Sequence, residues 1–244
     1  MKKPLLIAIA ALLSLATIAQ TTITNGNMES WTGSGQSIEP TQWNSTRSAG
    51  GSCSLCISSA PQTCWQETSN PHGGTYCAKL VTGNVLGNNV NGALTTGQIT
   101  IPSFTTAEGY IQTVTTDNNF HMNFTGRPDS LVFWYRSNPV GSDYPSVEAR
   151  IHINTCETPE IPVNGNHSLD TTNIVARAKW QGTSTAVSSW TRVSVPFVYR
   201  NSATPQYILI TCTSSANTSG AQQNSTLWLD DFDVIYNPTV ATGA

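Results

Sequence analysis

Ser146-Val147-Glu148-Ala149-Arg150-Ile151-His152-Ile153 alternates apolar and polar residues without a break. Successive side chains of a strand point to opposite faces, so Val147, Ala149, Ile151 and Ile153 form one face and Glu148, Arg150 and His152 the other. An antiparallel sheet with one wetted side produces that pattern, whereas a helix would need apolar residues every three or four positions. Outward from this segment the same period recurs. Ser130-Leu131-Val132-Phe133-Trp134-Tyr135-Arg136 turns Leu131, Phe133 and Tyr135 one way and Trp134 and Arg136 the other. Trp190 to Tyr199 turns Val193, Val195, Phe197 and Tyr199 inward and Trp190, Arg192 and Ser194 outward. Further strand-like runs lie at Tyr76–Thr82, Gly97–Ile101, Tyr110–Val114, Asn173–Gln181, Gln206–Thr213 and Thr226–Tyr236. Residues 33–60 read as a long Gly/Ser/Thr-rich loop. No stretch sustains a helical period, so the expectation is an all-β chain, a two-sheet antiparallel β-sandwich of jelly-roll type.

Composition agrees. Of 244 residues, 34 are Thr, 26 Ser and 20 Asn, while charged residues make up only 10% and the net charge is −3. Thr favours strands, and Ser and Asn favour turns. So little charge excludes a basic nucleic-acid binder and an acidic disordered tail. The length suits one sandwich domain, expected over residues 20–237, followed by a linker-like tail at 238–244.

Met1-Lys2-Lys3, the apolar run Leu5–Ala16 and Thr17-Ile18-Ala19 have the three parts of a signal peptide, with cleavage after Ala19. The run is too short to span a bilayer, and no other segment is apolar enough to try. The expected location is therefore secreted or at the cell surface. Export makes disulfides the simplest reading of Cys53, Cys56, Cys64, Cys77, Cys156 and Cys212. Pairing Cys156 with Cys212 would staple two neighbouring strands, leaving the other four to pair among themselves. A zinc ribbon is the alternative for the Cys53-x-x-Cys56 group, but the later spacing is irregular.

If the alternating strands share a sheet, its outer face carries Trp134, Arg136, Glu148, Arg150, His152, Trp190 and Arg192. Flat aromatics beside hydrogen-bonding side chains suit pyranose rings, so Trp134, Arg136, Glu148, Arg150, His152 and Trp190 are the candidate ligand-binding residues. Trp31, Trp43, Tyr144 and Trp180 are loop or edge alternatives. Glycoside hydrolysis needs two facing carboxylates, and alternation supplies only Glu148. No Gly-x-Ser-x-Gly or His-Glu-x-x-His motif is present, and His72, His121, His152 and His167 are scattered.

Two segments bracket the chain: Asn25-Gly26-Asn27-Met28-Glu29-Ser30-Trp31, and Leu227-Trp228-Leu229-Asp230-Asp231-Phe232-Asp233-Val234. Between them lie Cys64-Trp65, Lys79-Leu80-Val81-Thr82, the run Phe124 to Leu131, and Pro205 before Tyr207–Ile210. In this order the marks resemble jelly-roll carbohydrate-binding modules. More closely, they resemble the putative carbohydrate metabolism domain (PCMD) family of exported Bacteroidetes proteins. The resemblance implies a non-catalytic module that binds an extracellular glycan, with a cell-surface spacer or adhesin as the second expectation. It also implies a structural Ca²⁺ where the first and last strands meet, held by Glu29, Asp231 and a carbonyl near Gly73-Gly74, all hard oxygen donors.

Overall fold

The structure, a computed structural model, describes residues 21–105, 108–159, 171–216 and 220–237. The signal-peptide segment and the tail at 238–244 lie outside the described residues. The strands, in chain order, are β1 (Trp31–Thr32), β2 (Glu39–Pro40), β3 (Cys64–Glu67), β4 (Cys77–Val81), β5 (Gly83–Val85), β6 (Asn88–Val90), β7 (Ala93–Thr95), β8 (Gln98–Thr100) and β9 (Tyr110–Gln112). They continue as β10 (Ser130–Asn138), β11 (Ser146–His152), β12 (Glu157–Pro159), β13 (Ile174–Gln181), β14 (Val187–Pro196), β15 (Val198–Tyr199), β16 (Tyr207–Thr213) and β17 (Thr226–Ile235). One short helix, α1 (Ser54–Ser59), lies in the segment read as loop, together with β2 and two 3₁₀ turns. Among the described residues, no helix is long and apolar enough to cross a membrane.

The first sheet has the order β14-β10-β17-β4-β3 and the second β15-β13-β11-β16-β7. Adjacent strands within both are antiparallel. Their inner faces close on one core. Leu80, Leu131, Phe133, Leu227 and Leu229 come from the first sheet, and Val147, Ala149, Ile151, Ala178, Ile208 and Ile210 from the second. The fold is thus the all-β, two-sheet jelly-roll sandwich expected from period-two alternation.

Two expectations need correction. The run from Trp190 to Tyr199 is not one strand: β14 ends at Pro196 in the first sheet, and β15 resumes in the second. Pro196 cannot donate to a ladder, which is a physical reason for the break. More consequentially, β10 and β14 belong to one sheet and β11 to the other, so the proposed common outer face does not exist. Instead β12-β9-β8 forms a third layer. Ile99 and Ile111 from this layer pack with Ala93, Cys156, Ile174 and Leu209 as a second core over the outer side of the second sheet. Glu148, Arg150 and His152 lie on that covered side and are buried.

The cysteines meet expectation in one disulfide and depart from it at Cys64, Cys77 and Cys212. Cys53 and Cys56 are bonded to each other at the start of α1. Cys64 and Cys77 lie on paired strands but at opposite ends of the ladder, because Cys64 faces Leu80 and Cys77 faces Glu67. Cys212 belongs to the inner core and Cys156 to the outer one, so the second sheet separates them. Cys64, Cys77 and Cys212 are buried free thiols. Burial pushes Cys77 up to about 12 and holds Cys64 and Cys212 far above the ordinary thiol range. The thiolate that exchange chemistry requires is therefore suppressed at neutral pH.

Candidate functional site

On the outer face of the first sheet, each strand contributes one side chain to a transverse row. Trp65 of β3 pairs with Lys79 of β4, and Lys79 with Trp228 of β17. Trp228 pairs with Arg136 of β10, whose guanidinium lies 5.0 Å from the Trp228 ring and 4.8 Å from the Trp190 ring of β14. Lys79 Nζ is 5.7 Å from the Trp228 ring centre. The row therefore alternates aromatic and cation: Trp65, Lys79, Trp228, Arg136, Trp190. All five side chains are half-buried. Each cation–π contact at such a position contributes about 0.5–1 kcal/mol, enough to hold the rings in place while leaving ring surface accessible. A shallow groove of about 500 Å³ runs along the β3 end of the row, lined by Trp65, Gln66, Glu67 and Lys79.

Strand irregularities aim the opposite end. Tyr135 pairs with Thr191 and Ser137 with Val187, so Ser188, Ser189 and Trp190 all face the single residue Arg136. This bulge carries Trp190 over the guanidinium. Asn70, with φ +63°, supplies a carbonyl that accepts from Trp190 Nε1 at 2.9 Å and from Arg136 Nη2 at 3.3 Å. His72 stacks on Trp134 with ring centres 3.8 Å apart. Its Nδ1 lies 2.5 Å from Asp231 Oδ2.

A second bulge places that carboxylate. Trp134 pairs with Asp230 and Val132 with Asp233, leaving Asp231 and Phe232 opposite Phe133. Asp231 takes φ +47°, a conformation that Asp tolerates better than most residues. The preceding Asp230 is fully buried and accepts from the backbone N–H groups of His72 and Gly73 at 2.9 and 3.2 Å. Burial raises its carboxyl to about 6, with the Asp231 charge adding to the rise against the backbone hydrogen bonds.

The same loop meets the chain's first segment. Glu29 Oε1 accepts from the backbone N–H groups of Thr75 and Tyr76 at 2.8 and 2.9 Å. A Cβ on Gly74, at φ +56°, would collide with Glu29 Oε1, and one on Gly73 would lie 2.8 Å from Asp231 Oδ2. Glu29 and Asp231 thus each press on one of two adjacent glycines, where any larger residue would meet their carboxylates. Gly26 is equally constrained: its carbonyl accepts from Phe232 N–H at 2.8 Å, and a Cβ there would strike the Phe232 carbonyl. Among the described residues no group of three or more His, Cys, Asp and Glu side chains is arranged to hold a metal.

Of the candidate ligand-binding residues, Trp134, Arg136 and Trp190 come together on this face, with Arg192 exposed beside them. Glu148, Arg150 and His152 are elsewhere. Glu148 accepts from Arg150 Nε at 2.5 Å and from Arg177 Nε and Nη2 at 2.9 and 2.8 Å. Burial drives its carboxyl upward, but the Arg177 hydrogen bond and the charges of Arg150 and Arg177 outweigh that and hold it below the usual range. Among the alternatives, Trp43 is buried against Phe232 and Trp180 packs on Phe133 and Tyr135, so both serve the core. Trp31 donates to the Met28 carbonyl, and Tyr144 is half-buried in the β10–β11 connection. Trp65, Lys79, Trp228 and His72 were missed as site residues. Alternation held the signal for three of them, since Ala78, Leu80, Leu227 and Leu229 face inward and turn Lys79 and Trp228 out, while Trp65 follows the inward Cys64.

A comparison with curated protein sequences gives no match. Among solved structures, a putative glycoside hydrolase from Bacteroides thetaiotaomicron is similar at TM-score 0.60 and 16% identity, over 87% of this chain and 70% of that one. TmCBM61 in complex with β-1,4-galactotriose is similar at TM-score 0.37 and 7% identity, over 88% of this chain and 93% of that one. A family 11 carbohydrate-binding module from Clostridium thermocellum follows at TM-score 0.33 and 8% identity, over 71% and 81%. At residues 20–235 the sequence matches the family model described as "Putative carbohydrate metabolism domain", and the chain belongs to that family.

Proposed function

We propose that the protein is an exported, non-catalytic glycan-binding module whose ligand lies across the Trp65–Lys79–Trp228–Arg136–Trp190 row. The row itself carries the reading. Three indole faces can stack on the apolar faces of pyranose rings, while Lys79 and Arg136 between them donate to ring hydroxyls. Four strand spacings of about 4.8 Å give the row a length of roughly 19 Å, which suits an oligosaccharide better than a single ring. The family's carbohydrate link supports this, and the Cys53–Cys56 disulfide supports an oxidising destination. Catalysis is disfavoured because Glu148 is sealed in ion pairs and Asp230 is buried under the His72–Gly73 backbone.

A glycan array followed by titration tests the proposal. Trp190→Ala and Trp228→Ala are each expected to cost about 2 kcal/mol, roughly thirtyfold in Kd, with the fold intact. Unchanged affinity in both variants would move the site elsewhere. Failure of any glycan to bind would leave the spacer reading, with a cell-surface assembly partner in place of a sugar.

We also propose that Glu29 and Asp231 hold a structural Ca²⁺ beside Gly73-Gly74, with carbonyl and water oxygens completing its shell. The ion would tie the first segment to the last strand. A chelator is then expected to lower the melting temperature by several degrees, restored by added Ca²⁺. An unchanged melting curve would assign the joint to its hydrogen bonds alone.

A further inference from the structure

Where β14 gives way to β15, Arg177 and Lys179 of β13, Val195 and Pro196 of β14, Val198 of β15 and Arg200 line a groove of about 440 Å³. None of them belongs to the aromatic–cation row. Arg177 and Lys179 are two residues apart on one strand, so they share a face at a spacing of about 6.7 Å. Val198 pairs with Arg177 and lies beside it. Lys179 and Arg200 are exposed, and Val198 is 67% exposed, so the groove is open to solvent. Cations are scarce in this chain: nine Lys and Arg lie among the described residues, and three of the nine meet here. No carboxylate lines the groove. Among the described residues the side chains of Lys179 and Arg200 have neither an ion pair nor a hydrogen bond. Glu148 holds Arg177 by Nε and Nη2, which leaves Nη1 without a partner among the described residues on a side chain 34% exposed.

Charge restricts the occupant first. Cations gathered in a concave site with no counter-charge concentrate an anion there. Guanidinium and ammonium groups donate charge-assisted hydrogen bonds to oxyanions, and the guanidinium fork suits a carboxylate or a sulfate ester. Because Glu148 already fixes Arg177, little side-chain freedom is lost when its remaining N–H groups engage. Size and wall chemistry come next. The groove falls within the roughly 300–1,000 Å³ of ordinary ligand sites, and Val195, Pro196 and Val198 offer an apolar wall for the C–H face of a ring that carries the charge. A lipid surface fits less well, since the cations converge in a groove and the chain as a whole has net charge −3. We propose that this groove binds the acidic groups of an anionic polysaccharide, uronate carboxylates or sulfate esters, with Arg177, Lys179 and Arg200 as the donors. The choice of a polysaccharide rests on the glycan-binding reading; the selection of an anion does not.

Titration calorimetry of the full chain with dextran sulfate, polygalacturonate and unmodified dextran tests this. At least one charged polymer is expected to bind about tenfold or more tightly than dextran, and the two arms distinguish a sulfate ester from a uronate. Raising the ionic strength from about 0.1 to about 1 M shortens the screening length from about 10 to about 3 Å and should remove most of that binding. Lys179→Gln and Arg200→Gln, both at exposed positions, should each weaken it by about two- to fivefold and together by about tenfold, with the melting temperature unchanged. Arg192→Gln removes an exposed cation outside the groove and should leave the affinity as it is. Trp228→Ala should do the same, so failure of the aromatic row as a glycan site would not be confused with failure here. Equal binding of dextran, full binding in the double variant, or an equal loss in Arg192→Gln and Lys179→Gln would each overturn the proposal. Tighter binding to phosphatidylglycerol vesicles or poly-L-glutamate than to either charged polysaccharide would overturn it too.

Discussion

Glu148→Ala is expected to destabilise the protein by about 3–5 kcal/mol, measured as a lower midpoint in denaturant unfolding at neutral pH. The substitution removes the shared acceptor of two guanidiniums. Arg150 is then left as an uncompensated charge, with a side chain only 3% exposed and a remaining bond from Nη1 to the Glu157 carbonyl at 2.7 Å. Arg177 suffers less, because its side chain is 34% exposed and can turn to water. Glu148→Leu combined with Arg150→Met should therefore be markedly less costly than Glu148→Ala, since the two buried charges leave together and only the part-exposed Arg177 loses its acceptor. A catalytic acid would behave otherwise, because its removal costs activity and leaves stability nearly untouched. If Glu148→Ala unfolds within about 0.5 kcal/mol of the parent while a glycoside hydrolysis activity disappears, the structural role assigned here is wrong.

That contrast shows what alternation can and cannot carry. The 146–153 run placed Glu148, Arg150 and His152 on one face, and they do share it. Nothing in the run says whether that face meets water or another layer. Ile99 and Ile111, which cover it, lie in short strands whose apolar residues mark a buried side without naming the surface beneath. The same limit applies between sheets: Trp134 and Glu148 both point outward from the main core, yet on opposite sides of the sandwich, because strand order is a non-local property that periodicity does not encode. Where registry alone was needed, the sequence was more generous. Lys79 and Trp228 are flanked by core residues, and their outward direction follows directly. Trp190 over Arg136 was harder, since it depends on a bulge that admits three residues opposite one. The Asp231 bulge left a trace in the Asp230-Asp231 pair, one residue buried under backbone amides and the other turned to His72.

The covered face also imposes a pH dependence. His152 is fully buried; its Nε2 lies 3.0 Å from Thr113 Oγ1, its ring stacks on Tyr207, and Arg150 is a charged neighbour. Burial, with the Arg150 charge added, lowers its pKa from 6.5 to about 4 against the opposing backbone hydrogen bonds. Above pH 6.5 the ring is neutral in both folded and unfolded chains, so its contribution is complete there. As pH falls below that, the unfolded chain takes up a proton that the folded chain refuses until about 4, and stability is lost across that window. At about 1.4 kcal/mol per pH unit, the full loss is about 3 kcal/mol. Asp230 opposes it: its pKa is raised from 3.8 to about 6 in the fold, so acidification through 6 toward 3.8 favours the folded chain. In the metal-free protein the two effects partly cancel, and its acid profile should look flatter than either alone. His152→Gln isolates the first, because glutamine stays neutral and can still bond Thr113 while Asp230 is unchanged. Between pH 7 and 4.5 the variant should lose about 2–3 kcal/mol less than the parent, whatever its offset at neutral pH. Parallel stability curves for the two proteins over that interval would mean that His152 titrates normally and that the third layer does not exclude water from it.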